Sequence, residues 1–437
     1  MVSLAQAKER VLTKWDWDND TDNYPVILWG PIGIGKTWLV YQLISERIIY
    51  ELDKEFAALI LKLKKENKNY ESAEEFKSAK VELDRKRKIL DFKDLNAEFM
   101  NLISPHCLIL RMAERPIEQL QGVVVPSLSD NYAKFVMPEN LERCRKSKFG
   151  ILMADELDKC SDSKFGAATH LLENRTIGDF QLGDGWFVIG CANYEENSIL
   201  SNPIPPELLN RCAHLEIEPD LDTWITWAVN HDVRKDIILF HKFNNGEWLT
   251  KYDLEQTYAY PTPRSWVMAS RVIDRLEKKL NIDKNNTEQV EYFNNIVRNE
   301  LQDFVGKQAQ AEFFMYRELY LKYDVMKILD GTDRIPTKDS MPNEGMLISE
   351  QCIAAFAMSD RIDSDQLVVE KASENNKWKA QFNETYIKNL VRFIGDLVPE
   401  VRTIYLRQIY ATRIINIIMD SGLAEKEIDE LVRFIAA

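Results

Sequence analysis

The sequence predicts an α/β fold: a parallel sheet with helices on both faces, an inserted helical hairpin, and an all-α lid and C-terminal region. Three observations carry that expectation. Short apolar strand signals alternate with helical stretches over the first half of the chain, the pattern of a parallel sheet joined by helical crossovers. One strand signal, YPVILW, runs into Gly30-Pro31-Ile32-Gly33-Ile34-Gly35-Lys36-Thr37, a glycine-rich turn that opens a helix. From about Pro219 onward the pattern becomes almost wholly helical.

Taken in order, residues 3–14 read as a helix and Trp15 to Asn23 as a polar approach to the first strand. The helix after Thr37 continues to about Lys65 without Gly or Pro. Residues 51–100 hold neither Gly nor Pro, and their twelve acidic and twelve basic residues interleave, which suits a solvated helical hairpin. Asn67 to Tyr70 would form its tip, and Ser72 with Glu75 a capping box for the returning helix. Strand signals follow at CLILRMA (107–113) and GILMADE (150–156), with a helix at 164–174. Thr176 to Ala192 reads as a hairpin turning at Asp184-Gly185 and running into the strand WFVIGCAN. Gly331 to Gly345 reads as a linker, and VRTIYLRQIYATRIINIIMD (401–420) as an amphipathic helix. At ~100–200 residues per domain, the chain divides into a nucleotide-binding core (1–218, carrying the hairpin at about 51–100), a helical lid (219–330), and a linker with C-terminal helices (331–437).

Composition narrows the functional classes. The 437 residues carry a formal charge of −14, which argues against a general grip on nucleic acid. No apolar run approaches the ~18 residues of a membrane span, and MVSLAQAKERVL lacks the layout of a signal peptide. A cytoplasmic location is the expectation. Cys107, Cys144, Cys160, Cys191, Cys212 and Cys352 show no CxxC pair and no metal-ligand spacing, so they read as small buried apolar residues.

The chemistry concentrates around Gly30 to Thr37, which matches the P-loop pattern. Glycines let backbone N–H groups turn inward around a phosphate, and the following helix adds its N-terminal dipole. Lys36 can reach the β- and γ-phosphates of a nucleotide, and the Thr37 hydroxyl can ligand Mg²⁺. Such a loop needs an acidic partner on a neighbouring strand. Ile151 to Glu156 supplies it, with Asp155 placed for the Mg²⁺ shell and Glu156 free to polarise an attacking water. Asn193 ends the next strand, where its amide can hold the γ-phosphate or the lytic water. Arg211 closes PPELLNRC, where it can reach a neighbouring subunit as an arginine finger; its bland alternative is a surface ion pair.

The order of P-loop, Asp-Glu strand, Asn193, Arg211 and a later Pro-Arg resembles an AAA+ ATPase. The wording of LLENRTIGDFQLGDGW (171–186), PPELLNRCAHLEI (205–217), DTWITWAV (222–229) and TPRSWVMASRVI (262–273) resembles the MoxR family, as does VGKQAQAEF (305–313). That resemblance covers roughly residues 24–360. It implies that Gly30 to Thr37 are Walker A, Asp155-Glu156 Walker B, Asn193 sensor 1, Arg211 the arginine finger and Arg264 sensor 2. Ile32 departs from the family, standing where a second proline is common. The resemblance further implies a homo-oligomeric ring, commonly a hexamer, acting as a chaperone-like motor on a protein with a von Willebrand factor A domain.

Two rival classes remain. One is an AAA+ motor coupled to DNA processing, of the McrB type and using GTP or ATP; the other is a nucleotide-binding scaffold that does not turn over. Trp224, Trp227 and Trp266 read as lid core rather than a ligand platform. The run Arg85 to Lys88 reads as a solvated helix face. Segments 114–148 and 176–186 are the candidates for loops projecting toward a ring axis.

Overall fold

A computed structural model describes residues 1–19, 23–66, 70–91, 95–114, 116, 122–126, 133–136, 138–178, 180–194, 202–251, 258–282, 286–322, 325–364 and 384–407. The chain divides into two compact units: Met1–Val233 with Leu249–Arg271, and Arg234–Trp248 with Val272–Ala437.

The first unit is built on a five-stranded parallel sheet. Its strands are β1 (Val26–Trp29), β2 (Cys107–Arg111), β5 (Phe149–Asp155), β8 (Gly185–Ala192) and β9 (Ala213–Glu216), in the order β2-β5-β8-β1-β9. The antiparallel pairs β3–β4 (Val123–Pro126 with Ala133–Val136) and β6–β7 (Thr176–Ile177 with Phe180–Gln181) lie outside it. Strands covered on both faces read as continuous apolar runs, and all eight residues of β8 are buried. Alternate residues face opposite ways. Ile151, Met153, Phe187, Ile189 and Cys191 join the core under α1 (Leu4–Leu12), α2 (Lys36–Glu66), α3 (Glu74–Leu90) and α4 (Ala97–Ile103). Leu152, Ala154, Trp186 and Val188 join the opposite core, with α5 (Glu139–Arg145), α6 (Asp162–Asn174) and α7 (Pro206–Leu209). Helices therefore cover both faces, as the strand pattern predicts.

Local chemistry explains the element ends. Ser3 and Gln6 form a reciprocal capping box on α1, a device worth ~1 kcal/mol. The hairpin is an extension of the helix that follows the glycine loop: α2 runs unbroken to Glu66 and α3 returns against it. Of its expected tip, residues 67–69 lie outside the described residues. The capping box expected at Ser72 does not form. Tyr70–Ser72 makes a 3-10 turn that puts Ala73 at the cap, with no side-chain bond. A turn does form at Asp184-Gly185, where the Trp186 amide donates to the Gly183 carbonyl at 3.0 Å, but it leads into the next strand and does not close the hairpin. The hairpin turns through Gly178, and Gly185 begins β8, whose eight residues are all buried.

The second unit is helical: α9 (Lys235–Phe243), part of α10 (Pro263–Leu280), α11 (Thr287–Lys322, broken at Gly306), α12 (Val325–Asp330), α13 (Glu344–Ser364), α14 (Glu384–Asp396) and α15 (Pro399–Arg407). The helix α8 (Leu221–Asn230) belongs to the first unit. Leu329, Leu347, Met358, Leu390, Ile394 and Val401 form one apolar core. Buried Gln351 ties it to the expected linker, donating to the Pro336 and Asp396 carbonyls and accepting from the Val398 amide. The C-terminal helix expected over 401–420 is present as far as Arg407; the rest lies outside the described residues. No helix among the described residues is long and apolar enough to cross a membrane.

Candidate functional site

Parallel register delivers the site. Trp29 of β1 pairs with Ala192 of β8, and Ala154 of β5 with Gly190. The carboxyl ends of three adjacent strands thus release Gly30, Asp155 and Asn193 on one edge, where open α/β sheets bind ligands. Gly33 and Gly35 adopt φ of 80° and 115°, conformations open to glycine at no steric cost. They turn the chain from β1 into α2 while Ile34 plugs the loop into the apolar core. Pro31, Ile32 and Thr37 are half-buried along the same turn.

Lys36 lies inside this loop. Its Nζ donates to the Gly30 carbonyl at 2.6 Å, the Pro31 carbonyl at 3.2 Å and Asn193 Oδ1 at 3.1 Å. Burial pushes its ammonium below the usual lysine range; Asp155 and Asp158 oppose that, and the Arg264 charge reinforces it. A cation held by neutral oxygens, without a carboxylate in contact, is a socket for an anion.

Asp155 ends β5 and accepts the Glu156 amide at 3.0 Å. Burial pushes its carboxyl above the ordinary range, while that amide bond, Lys36 and Arg111 pull it back. Glu156 adopts the left-handed conformation, φ 58° and ψ 43°, an uncommon state for a residue with a Cβ. Its Oε1 accepts from Lys159 Nζ at 2.7 Å. The pairing raises the Lys159 ammonium above its usual value.

Arg264 comes to the loop from the first turn of α10. Thr262 and Ser265 exchange hydrogen bonds around Pro263, fixing the helix start. A Cβ placed on Gly33 would meet Thr262 Oγ1 at 3.0 Å and Arg264 Cβ at 3.3 Å, so this turn packs directly against the phosphate loop. Nearby, Trp227 of α8 and His231 at its C-terminal cap pack edge-on against Trp38, one residue past Thr37; Trp224 and Trp266 are buried. All three expected lid tryptophans are packing residues. Arg211 is not gathered into this cluster. It projects half-exposed after α7 and pairs with Glu173 near the end of α6.

Sequence reasoning missed Asp158. It lies two residues past Glu156 in the 3-10 turn Leu157–Lys159, 1% exposed, and accepts from the backbone amide and the side-chain Nδ2 of Asn193. The available signal was a third carboxylate in Asp-Glu-Leu-Asp, flanked by apolar residues that bury the turn.

The donor set suits magnesium, a hard cation that needs few protein oxygens and keeps waters and phosphate for the rest. Thr37 and Asp155 are such oxygens, and the burial that raises Asp155 leaves its carboxylate better matched to an added cation. No cluster of three or more His, Cys, Asp or Glu side chains among the described residues would hold a metal alone. The six cysteines are free; Cys144, Cys160 and Cys191 are buried, and Cys107, Cys212 and Cys352 half-buried.

The class this fold and site define is a parallel-sheet α/β protein with a glycine-rich, lysine-bearing loop at the carboxyl edge of its sheet. No family model and no curated protein matches the chain. Among solved structures it is similar to NtrX from Brucella abortus at 11% identity, covering 63% of this chain and half of that one, with a TM-score of 0.31. Two mutants of RuvB from Thermotoga maritima match at 11% identity and TM-scores of 0.33, covering 84% of this chain and 86% of theirs. At that distance neither a shared activity nor a shared partner follows; sheet order and loop geometry define the class from this chain alone.

Proposed function

We propose that this chain is an ATP-hydrolysing AAA+ ring ATPase of the MoxR-like kind, which remodels or matures a protein partner carrying a von Willebrand factor A domain. The observation that supports hydrolysis is the convergence of Lys36, Asp155, Glu156 and Asn193 at the ends of adjacent strands around the glycine loop. Lys36 and the loop amides bind the phosphates of ATP. Thr37 and Asp155 hold Mg²⁺, which neutralises phosphate charge when bound. Glu156, once it leaves Lys159, takes a proton from the attacking water. Arg264 faces the bound triphosphate from the lid turn. Arg211, exposed at the surface, serves a neighbouring subunit, which makes the ring part of the chemistry. The partner class rests on the wording of segments 171–186, 205–217, 222–229, 262–273 and 305–313 alone.

Nucleotide binding and phosphate release on the wild-type chain and two variants test the reading. Glu156→Gln should bind ATP and lose ~10²–10⁴-fold in turnover, the range for a general base. Arg211→Ala should bind ATP normally, lose ~10³-fold or more, and recover part of it when mixed with Lys36→Ala subunits. Full turnover by Glu156→Gln refutes the assignment of the base. Preference for GTP with stimulation by DNA would move the chain to the DNA-processing class.

A further inference from the structure

Asn193 has an amide whose two ends differ in kind, and its neighbours dictate which end faces which way. Asp158 offers carboxylate oxygens. Its Oδ1 takes the backbone N–H of Asn193 at 3.0 Å, and its Oδ2 lies 3.2 Å from Asn193 Nδ2. Lys36 offers only donors, and it lies 3.1 Å from the other end of the amide. A carboxylate accepts and an ammonium donates, so Nδ2 must face Asp158 and Oδ1 must face Lys36. Asp158 is itself fixed. It is 1% exposed, Leu157 and Cys160 beside it are fully buried, and its carbonyl accepts the Asn202 amide.

We infer that Asp158 is a positioning residue that anchors the donor end of Asn193 and so turns its Oδ1 toward the phosphate loop. This rests on the ATPase reading and refines it. An asparagine held this way keeps Nδ2 against Asp158, with one of its two N–H groups engaged there, and meets Lys36 with Oδ1, so the end turned to the loop is an acceptor. That oxygen accepts from the lytic water. Before nucleotide binds, Oδ1 is satisfied by Lys36. When a triphosphate draws the ammonium to itself, Oδ1 loses that donor and takes one O–H of the water in exchange. Glu156 takes the proton from the other O–H. The water oxygen bonds to the γ-phosphorus as the bridging P–O bond breaks, and ADP leaves with that electron pair. The three carboxylates of the Asp155-Glu156-Leu157-Asp158 turn thereby divide into a metal ligand, a base and an orienter of the opposite strand's amide.

The test is a swap. Asp158→Asn lets the amide of Asn193 turn over, and Asn193→Asp sets two carboxylates against each other; each should lose about 10²-fold in kcat. ATP affinity should change little in Asp158→Asn. The double variant Asp158→Asn with Asn193→Asp restores one donor against one carboxylate and again presents an oxygen to Lys36 and the water. It should regain about tenfold over either single variant, because coupled neighbours are non-additive. If Asn193 instead donates to the γ-phosphate, the swap stays inactive and binds ATP more weakly relative to ADP, since a carboxylate then faces phosphate; that result overturns the inference. Wild-type turnover in Asp158→Asn overturns it too. Should the single variants fail to fold, the swap decides, and a swap that neither folds nor hydrolyses counts against the pairing. A wild-type chain inert toward every nucleotide sinks the ATPase reading and this role with it, whereas an active wild type with an unaffected Asp158→Asn sinks the Asp158 assignment alone.

Discussion

Lys36 in the sheet unit and Arg234 in the helical unit are both largely withdrawn from water, and their surroundings are opposite in kind. Lys36 is held by two backbone carbonyls and an amide oxygen, and burial depresses its basicity. Arg234 is gripped by Asp236, by Asp274 at 2.8 Å and by Glu277 at 2.7 Å. Burial would lower its guanidinium too, but those carboxylates outweigh burial and hold it above its ordinary value. Taking a charge out of water is costly unless it is paired and hydrogen-bonded. The Arg234 cluster meets that requirement from within and can be a fastening of the fold. The Lys36 site meets it only in part, which is the state expected of a group whose counter-charge arrives with a ligand.

The sharpest way to break this comparison is to neutralise each cation. Lys36→Met should weaken nucleotide binding by ~1.5–3 kcal/mol, the worth of a charge-assisted contact, and leave unfolding unchanged or slightly later. Arg234→Met should do the reverse. It leaves Asp236, Asp274 and Glu277 facing one another, and breaking such a pair costs about 3 kcal/mol of stability, with no change in nucleotide affinity. Titration calorimetry and denaturant midpoints on both variants read the two axes. Two variants with the same profile would erase the distinction between socket and fastening.

Acid should separate the two units next. His241, in α9 of the helical unit, is buried and its imidazole is pushed down to about 3. The folded state therefore refuses a proton that the unfolded chain accepts below ~6.5. The stability it contributes is whole above that pH and is lost as pH falls toward 3, at ~1.4 kcal/mol per unit, or on the order of 2–3 kcal/mol by pH 4.5. His106 in the sheet unit is lowered by burial as well, but its bond to the Phe149 carbonyl opposes the shift. Segment-resolved hydrogen exchange between pH 7 and 4.5 should show α9 and its packing partners opening before β5 and β8. His241→Phe should remove most of that acid sensitivity. An equal loss in both units would show that this imidazole is no liability.

What the sequence made legible follows the same division. Gly30 to Thr37 and Asp155-Glu156 are contiguous runs whose spacing carries their chemistry, so they could be read without a fold. Asp158 acts on Asn193, thirty-five positions away, and only the register of β5 beside β8 brings them together. Arg234 likewise meets Asp274 and Glu277 across forty positions or more, with no local pattern to announce it. The two local misreadings differ in kind. Asp184-Gly185 does sit in a turn, closed by the Trp186 amide on the Gly183 carbonyl, but that turn leads into β8 while the hairpin folds back earlier, through Gly178. At Ser72 the 3-10 turn Tyr70–Ser72 moves the cap by one to Ala73; none of its residues is buried, so local backbone geometry decides there.

The smallest effect is expected where cations are neither socket nor fastening. The outer hairpin pairs Arg87 with Asp53, Lys62 with Glu75 and Lys86 with Glu82, all at least partly solvent-exposed. Pairs of this kind contribute ~0–1 kcal/mol each. The run Arg85 to Lys88 is accordingly a solvated helix face. Its inner end differs: Ile49, Leu52, Ile89 and Leu90 belong to the core beneath the sheet. Replacing residues 60–85 with a short loop should therefore spare the fold. It removes Leu63 and Leu83, which are buried outside that core cluster, and closing a loop of half the length alters entropy by only ~0.6 kcal/mol. ATP affinity should not move, because α2 keeps its first turns from Lys36 onward. Leu90→Ala in the intact chain should cost more than the whole deletion, about 2–5 kcal/mol for emptying a core site. Denaturant midpoints and ATP titration on both variants check the ranking. A deletion that unfolds the sheet unit, or a Leu90→Ala chain as stable as the parent, would place the hairpin's tip rather than its base in the core.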